Sequence, residues 1–240
     1  MPPGERRGVS SFFFNLFHSK GQVLIEFIGP LLKGTLLTVQ ITVLSSLLAF
    51  AVAMAAGLMR LSPVWIVRAA ATCYIEVFRG TSLLVQLFWW YFVLPMFGIF
   101  LDPFVVGVAG IAMNLGAYGA EVVRGAVEAV PRGQYEAAIA LNMTPSLRMR
   151  RIILPQALRA MLPPWGNLLI ELLKSTSLVS LITLQDLTFV GNQLNAATYR
   201  TLEIFSLVLL LYYVIGRLVI TPSVRLLERR VNRGIVRSVG

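Results

Sequence analysis

The sequence predicts an all-α membrane protein with about five transmembrane helices and one polar helical segment on the cytoplasmic side. Three observations carry that prediction. The chain of 240 residues is 57% hydrophobic and only 13% charged, with a mean hydropathy of +0.76. A soluble domain would carry about twice that charge. Apolar runs near the ~20 residues needed to cross a bilayer recur along the chain, divided by short arginine-bearing stretches. The stretch from Pro131 to Gln156 breaks this pattern: it holds Arg132, Glu136, Arg148, Arg150 and Arg151, yet it still reads as helix.

The first span is expected over residues 31–59, apolar apart from Lys33 and scattered Thr, Ser and Gln. Ala49, Ala51, Ala53, Ala55, Ala56 and Gly57 give it a small-residue half, which lets helix backbones approach closely in lipid. Arg60 and Pro63 end it. Residues 64–79, with Arg68, Glu76 and Arg79, read as a helix partly at the interface, and residues 81–97 as the second span. Trp89, Trp90 and Tyr91 in that span fit an aromatic belt or plain lipid-facing bulk. Residues 98–103 form a short turn. The third span covers about 104–123, where Gly107, Gly110, Gly116 and Gly119 suggest tight helix packing. A fourth segment runs over about 160–184, interrupted near its start by Pro163, Pro164 and Gly166. Residues 185–200 read as a polar loop and 202–220 as the fifth span. Residues 1–30 form an external or interfacial segment whose aromatic cluster at 12–17 is either an anchor or a loose tail. The transmembrane domain covers 31–221, with the polar segment at 131–155, and 222–240 form a basic cytoplasmic tail.

The polar segment divides in two. Pro131 suits a first helical turn, where its missing N–H costs nothing. Ala137, Ala138, Ala140 and Leu141 favour helix. The break falls at Asn142, after which Thr144 can cap a second helix that begins at Pro145. Arg60, Arg68 and Arg79, the arginines of the polar segment, and those of the C-terminal tail all fall on one side of the predicted spans. The excess of positive charge puts that side, with the C-terminus, in the cytoplasm and the N-terminus outside.

Composition also excludes functions. The net charge of +10 could suit nucleic acid, but the basic residues lie between or beside apolar runs, as in membrane-protein loops. Cys73 is the single cysteine and His18 the single histidine, so no disulfide within the chain, metal cluster or histidine-based triad is expected. The N-terminal residues carry no apolar run and cleavage site of the signal-peptide kind. No phosphate-binding loop ending in Lys-Ser/Thr is present, so ATP and Mg, if they drive transport, belong to a partner chain and no cofactor is expected here. No convergent set of catalytic groups points to an enzyme.

Polar groups within spans usually face a cavity or a partner. Glu171 and Lys174 share a helix face and pair, either along a translocation path that recognises a zwitterion or at a structural helix contact. Thr176 and Ser177 follow as further path candidates, and Asn114 either joins the path or bonds a neighbouring helix. Glu121 and Arg124 read as a membrane-edge pair.

Several motifs, in order over about 31–221, resemble the permease subunits of bacterial ATP-binding-cassette (ABC) importers, in the polar amino-acid uptake family. Glu136-Ala137-Ala138 and Ile152-Ile153-Leu154-Pro155 match the family's cytoplasmic signature, with Asn142 where glycine is usual. Residues 76–87, 117–125 and 172–178 are similar to its second-, third- and fourth-span motifs, with Ser82 in place of proline and Ser175 in place of aspartate. The resemblance implies a type I importer architecture in the bacterial inner membrane. Glu136, Ala137, Ala138, Asn142, Ile152, Leu154 and Pro155 would form a coupling helix docked on an ATPase. The implied partners are a second permease, two cytoplasmic ATPase subunits and an external solute-binding protein. The Asn142-Met143 variant, Ser82 and Ser175 are similar to the ectoine and hydroxyectoine branch, which implies a zwitterionic compatible solute. The alternative is an ion-coupled secondary transporter or channel, against which the absence of an inverted repeat counts.

Overall fold

In the computed structural model the backbone is described over residues 5–226 and the side chains from Phe27 to Leu226. The aromatic cluster at 12–17 and most of the basic tail therefore lie outside the described side chains. The elements are α1 (Glu5–Arg60), α2 (Trp65–Gly80), α3 (Leu83–Phe88), α4 (Pro103–Glu128), α5 (Arg132–Ala140), α6 (Pro145–Arg148), α7 (Leu154–Ser175), α8 (Leu187–Thr198) and α9 (Thr201–Ile215). Among the described residues there is no strand, so the all-α class holds. Three helical stretches, Phe27–Arg60, Pro103–Glu128 and Thr201–Leu226, are long and apolar enough to cross a membrane. Two bent pairs raise the number to as many as 5.

Helix α4 is the centre of the bundle and packs along α1, α7 and α2. Its glycines explain how. A Cβ on Gly119 would lie 2.7 Å from Ala53 and 2.5 Å from the Trp165 ring. On α1, a Cβ on Gly57 would lie 2.6 Å from Cβ of Val123 and 2.8 Å from the Ala120 carbonyl oxygen. Helices α1 and α4 thus touch nearly backbone to backbone, as the small residues predict. Ile41, Leu87, Val106, Ile111, Leu172 and Ile182 fill one end of the core, and Val123, Val127, Ile153, Ala157 and Met161 the other.

Four expectations are corrected. Residues 185–200 are not a loop: Asp186 caps α8 by accepting from the N–H groups of Thr188 (3.1 Å) and Phe189 (2.9 Å). Leu187, Val190 and Leu194 then recur at helical spacing and pack with Phe27, Leu31, Ile204 and Val208. A cap residue followed by that spacing was the available signal, hidden by the polar composition. Pro163 and Pro164 do not break α7, which runs through both. They remove N–H groups that would bond the carbonyls of residues 159 and 160, but Met161, Gly166, Leu172 and Leu173 are buried and hold the helix by packing. The second span is irregular. Helix α3 is followed by a π-helical turn, Trp89–Val93, and a 3-10 turn, Leu94–Phe97, and the whole segment bends by 102° from α2. Finally, Pro131 is the N-cap of α5, with extended ψ of 136°, rather than a residue of its first turn.

Candidate functional site

The polar segment is two short helices around a left-handed turn. Helix α5 ends when Asn142 takes φ of 53°. The Asn142 N–H then bonds the Ile139 carbonyl at 2.8 Å, and the Met143 N–H bonds Ala138 at 3.0 Å. This pair of bonds is the Schellman closure, which satisfies carbonyls that the helix end would otherwise leave bare. Asn is among the few residues other than glycine that visit this conformation routinely, because its side chain is short and polar. Thr144 caps α6 by accepting from the Leu147 N–H at 3.4 Å, with Pro145 in the first turn.

The segment is tied to the spans by side chains that sequence reasoning did not single out. The Tyr135 hydroxyl donates to the Val127 carbonyl of α4 at 3.2 Å, and Arg148 lies over the Tyr135 ring at 5.8 Å. Gln156 of α7 donates to Gln134 of α5 at 3.1 Å. Ala138 and Ile153 are fully buried. Of the predicted coupling residues, Glu136, Ala137, Asn142 and Pro155 are exposed, Ala138 is buried, and Ile152 and Leu154 are half-buried. Ile139 and Leu141 are also exposed, 58% and 73%. The outer face therefore presents a carboxylate among apolar side chains, while the inner face is bolted to α4 and α7.

A charged cluster sits where α1, α2 and α4 meet. Glu121 accepts from Arg60 and, at 3.1 and 2.9 Å, from Arg124, which also donates to Glu128 at 2.7 Å. Arg60 lies 3.8 Å from Glu76. The expected Glu121–Arg124 pair is thus part of a network that links two of the resembling motifs. Sequence spacing could not reveal Arg60 as its third member, since it lies 61 residues away.

The path candidates separate. Asn114 is buried on α4 and donates to the Phe78 carbonyl at 2.9 Å and to Gln86 at 3.1 Å. Gln86 in turn donates to Thr81 and Phe78, so the two amides pin the α2–α3 bend to α4. A lone glutamine in an apolar run was the signal for it. Thr176 is fully buried, its hydroxyl donating to Leu173. Glu171 and Lys174 lie 3.8 Å apart on an exposed face of α7, with side-chain exposures of 61% and 69%. Pro163, Asn167 and Ile170 continue that face. Lys174 and Ser177 line a cavity of about 510 Å³ together with Tyr212, Tyr213 and Arg217. The structure therefore brings Glu171, Lys174 and Ser177 together and leaves Asn114 and Thr176 apart. No group of metal-ligating side chains occurs among the described residues.

Residues 47–233 match the family model described as binding-protein-dependent transport system inner membrane component. The chain is 46% identical over 214 residues to a probable amino-acid ABC transporter permease protein, y4tF, of Sinorhizobium fredii (strain NBRC 101917 / NGR234), covering 87% of this chain and 90% of that one. It is 41% identical over 204 residues to the glutamine transport system permease protein GlnP of Escherichia coli (strain K12), with coverages of 84% and 93%. Among solved structures it is similar to a crystal structure of an amino acid ABC transporter with histidines. That match has a TM-score of 0.80 and 35% identity, over 87% of this chain and 97% of that one.

Proposed function

Because the chain belongs to the family of binding-protein-dependent transport system inner membrane components, and is an amino-acid ABC transporter permease component rather than an enzyme, we propose that it carries a polar, zwitterionic amino-acid-like solute inward at the expense of ATP hydrolysed by partner chains. The observation that carries this reading is the 131–156 segment. Its outer face offers Glu136, Ala137, Ile139 and Leu141, and its inner face is anchored through Tyr135, Ala138 and the Gln134–Gln156 bond. A partner that moves this face moves α4 and α7 with it. ATP and Mg would sit in that partner. Two such ATPases, a second permease and an external solute-binding protein complete the assembly in this reading. The clustering of arginines supports a cytoplasmic segment and C-terminus with the N-terminus outside.

On the exposed face of α7, Glu171 would meet a solute ammonium or amidinium, and Lys174 and Arg217 a carboxylate. Asn114 and Thr176 act in this reading as structural ties. Ectoine and hydroxyectoine are the solutes suggested by Asn142-Met143, Ser82 and Ser175. The test is reconstitution with the ATPase and binding protein in liposomes. Uptake of labelled ectoine that requires internal ATP supports the proposal. Uptake of other amino acids but not ectoine removes the solute assignment alone, and uptake driven by an ion gradient without ATP overturns the mechanism.

A further inference from the structure

Among the described residues, Arg159 carries the one buried side-chain nitrogen or oxygen without a hydrogen-bond partner. It lies on α7, four residues beyond Pro155, which is about 6 Å along the helix axis. Its Nε is buried and has no hydrogen-bond partner, and no carboxylate among the described residues pairs with it. A buried guanidinium nitrogen without an acceptor is costly. The nearby end of α4, whose last carbonyls could receive a cation, does not take it: Arg159 lines a cavity of about 220 Å³ with Ala126, Ala129 and Val130, yet makes no bond to them.

Arg159 also lines a cleft of about 570 Å³ that lies mainly between α1 and α7. Phe50, Leu158, Leu162, Trp165 and Leu169 line that cleft, and Arg159 is its single charged residue. Leu47 and Phe50 at its rim are exposed in the middle of an apolar span. The cleft therefore combines two kinds of chemistry: one cation near the arginine-rich end of the helix, and an apolar lining around it. We propose that this cleft seats an anionic phospholipid, its phosphate on the Arg159 guanidinium and one acyl chain along Phe50, Leu162 and Trp165. Charge complementarity selects a negative headgroup, since Arg159 is the one charged residue lining an otherwise apolar cleft and carries no carboxylate partner among the described residues, and the apolar lining selects a lipid over a free anion. The lipid would wedge α1 against α7 next to the segment that the proposed partner moves. This inference does not depend on the identity of the transported solute.

The test uses the whole transporter complex in nanodiscs of phosphatidylcholine and phosphatidylglycerol, followed by transfer to detergent and native mass spectrometry. The wild type is expected to retain phosphatidylglycerol over phosphatidylcholine. Arg159→Gln should lose about fivefold in that preference, the value of one arginine near a charged lipid surface, and Arg159→Lys should keep part of it. Leu162→Trp fills the cleft but leaves the guanidinium, and it should also release the lipid; it carries the test if Arg159→Gln does not fold. Equal retention by the wild type and both disrupting variants overturns the proposal. So does displacement of phosphatidylglycerol by inorganic phosphate alone, which would mark a free-anion site. A disulfide between Phe50→Cys in one permease and Leu162→Cys in its neighbour would show a second chain in the cleft and overturn it as well.

Discussion

The turn at Asn142 gives the sharpest prediction. Its φ of 53° is a conformation that costs an ordinary L-residue roughly 1–2 kcal/mol, less for Asn and nothing sterically for Gly. Asn142→Val places a β-branched side chain there, so the closed turn should lose about 1–2 kcal/mol. That shifts the equilibrium between closed and opened turn about 5–30-fold. The two closing bonds, Asn142 N–H to Ile139 at 2.8 Å and Met143 N–H to Ala138 at 3.0 Å, report that equilibrium directly. Hydrogen exchange of those amides in the reconstituted complex should therefore accelerate by about 5–30-fold in Asn142→Val. Asn142→Gly should stay within a few-fold of the wild type, because relief at φ is offset by the greater entropy of an unfolded glycine. If the turn orients the coupling face, ATP hydrolysis stimulated by solute-loaded binding protein should fall in Asn142→Val and persist in Asn142→Gly. Unchanged exchange in Asn142→Val would refute the account of the turn. Faster exchange with undiminished stimulation would refute its role in coupling.

Other perturbations follow from the same structure. Gly57→Ala drives a methyl into Val123 and the Ala120 carbonyl, and overpacking of this kind costs about 1–3 kcal/mol; a lower melting temperature of the purified complex should show it, and an unchanged one would mean that α1 and α4 can separate freely. Asp186→Ala removes the cap of α8 and an acceptor for Tyr212, a loss of about 1–3 kcal/mol, whereas Asp186→Ser, which still caps, should lose less; comparable thermal shifts in the two would discount the cap. Glu136→Lys should leave insertion and elution profile intact but lower stimulated ATP hydrolysis, and normal transport by that variant would remove Glu136 from coupling. Lys174→Ala should reduce uptake without lowering the yield of folded complex; a loss of folded protein instead would make the Glu171–Lys174 pair structural.

Signals confined to a few consecutive residues were legible in the sequence. Thr144 and Pro145 start a helix, and Asn142 ends one, because capping and backbone preference act within a single turn. The glycines of α4 and the alanines of α1 announced close packing because in lipid only small side chains allow it. The Glu136 and Ile152–Pro155 signature was legible as well, and with it the family.

Tertiary structure decided what depends on partners far along the chain. Helix α8 forms because Asp186 is buried beside Tyr212 and Leu187 packs against α1 and α9, none of which composition reveals. Helix α7 survives two prolines because its buried face outweighs the lost backbone bonds. Asn114 bonds Gln86 of α3 and the Phe78 carbonyl of α2, partners that its place in the sequence does not announce. The 131–156 segment showed in sequence as polar helix within an apolar chain. Its attachment to α4 and α7, through Tyr135, Ala138 and the Gln134–Gln156 bond, came only from folding. Local preference is written over three or four residues; a contact across twenty or sixty is chosen by the whole bundle.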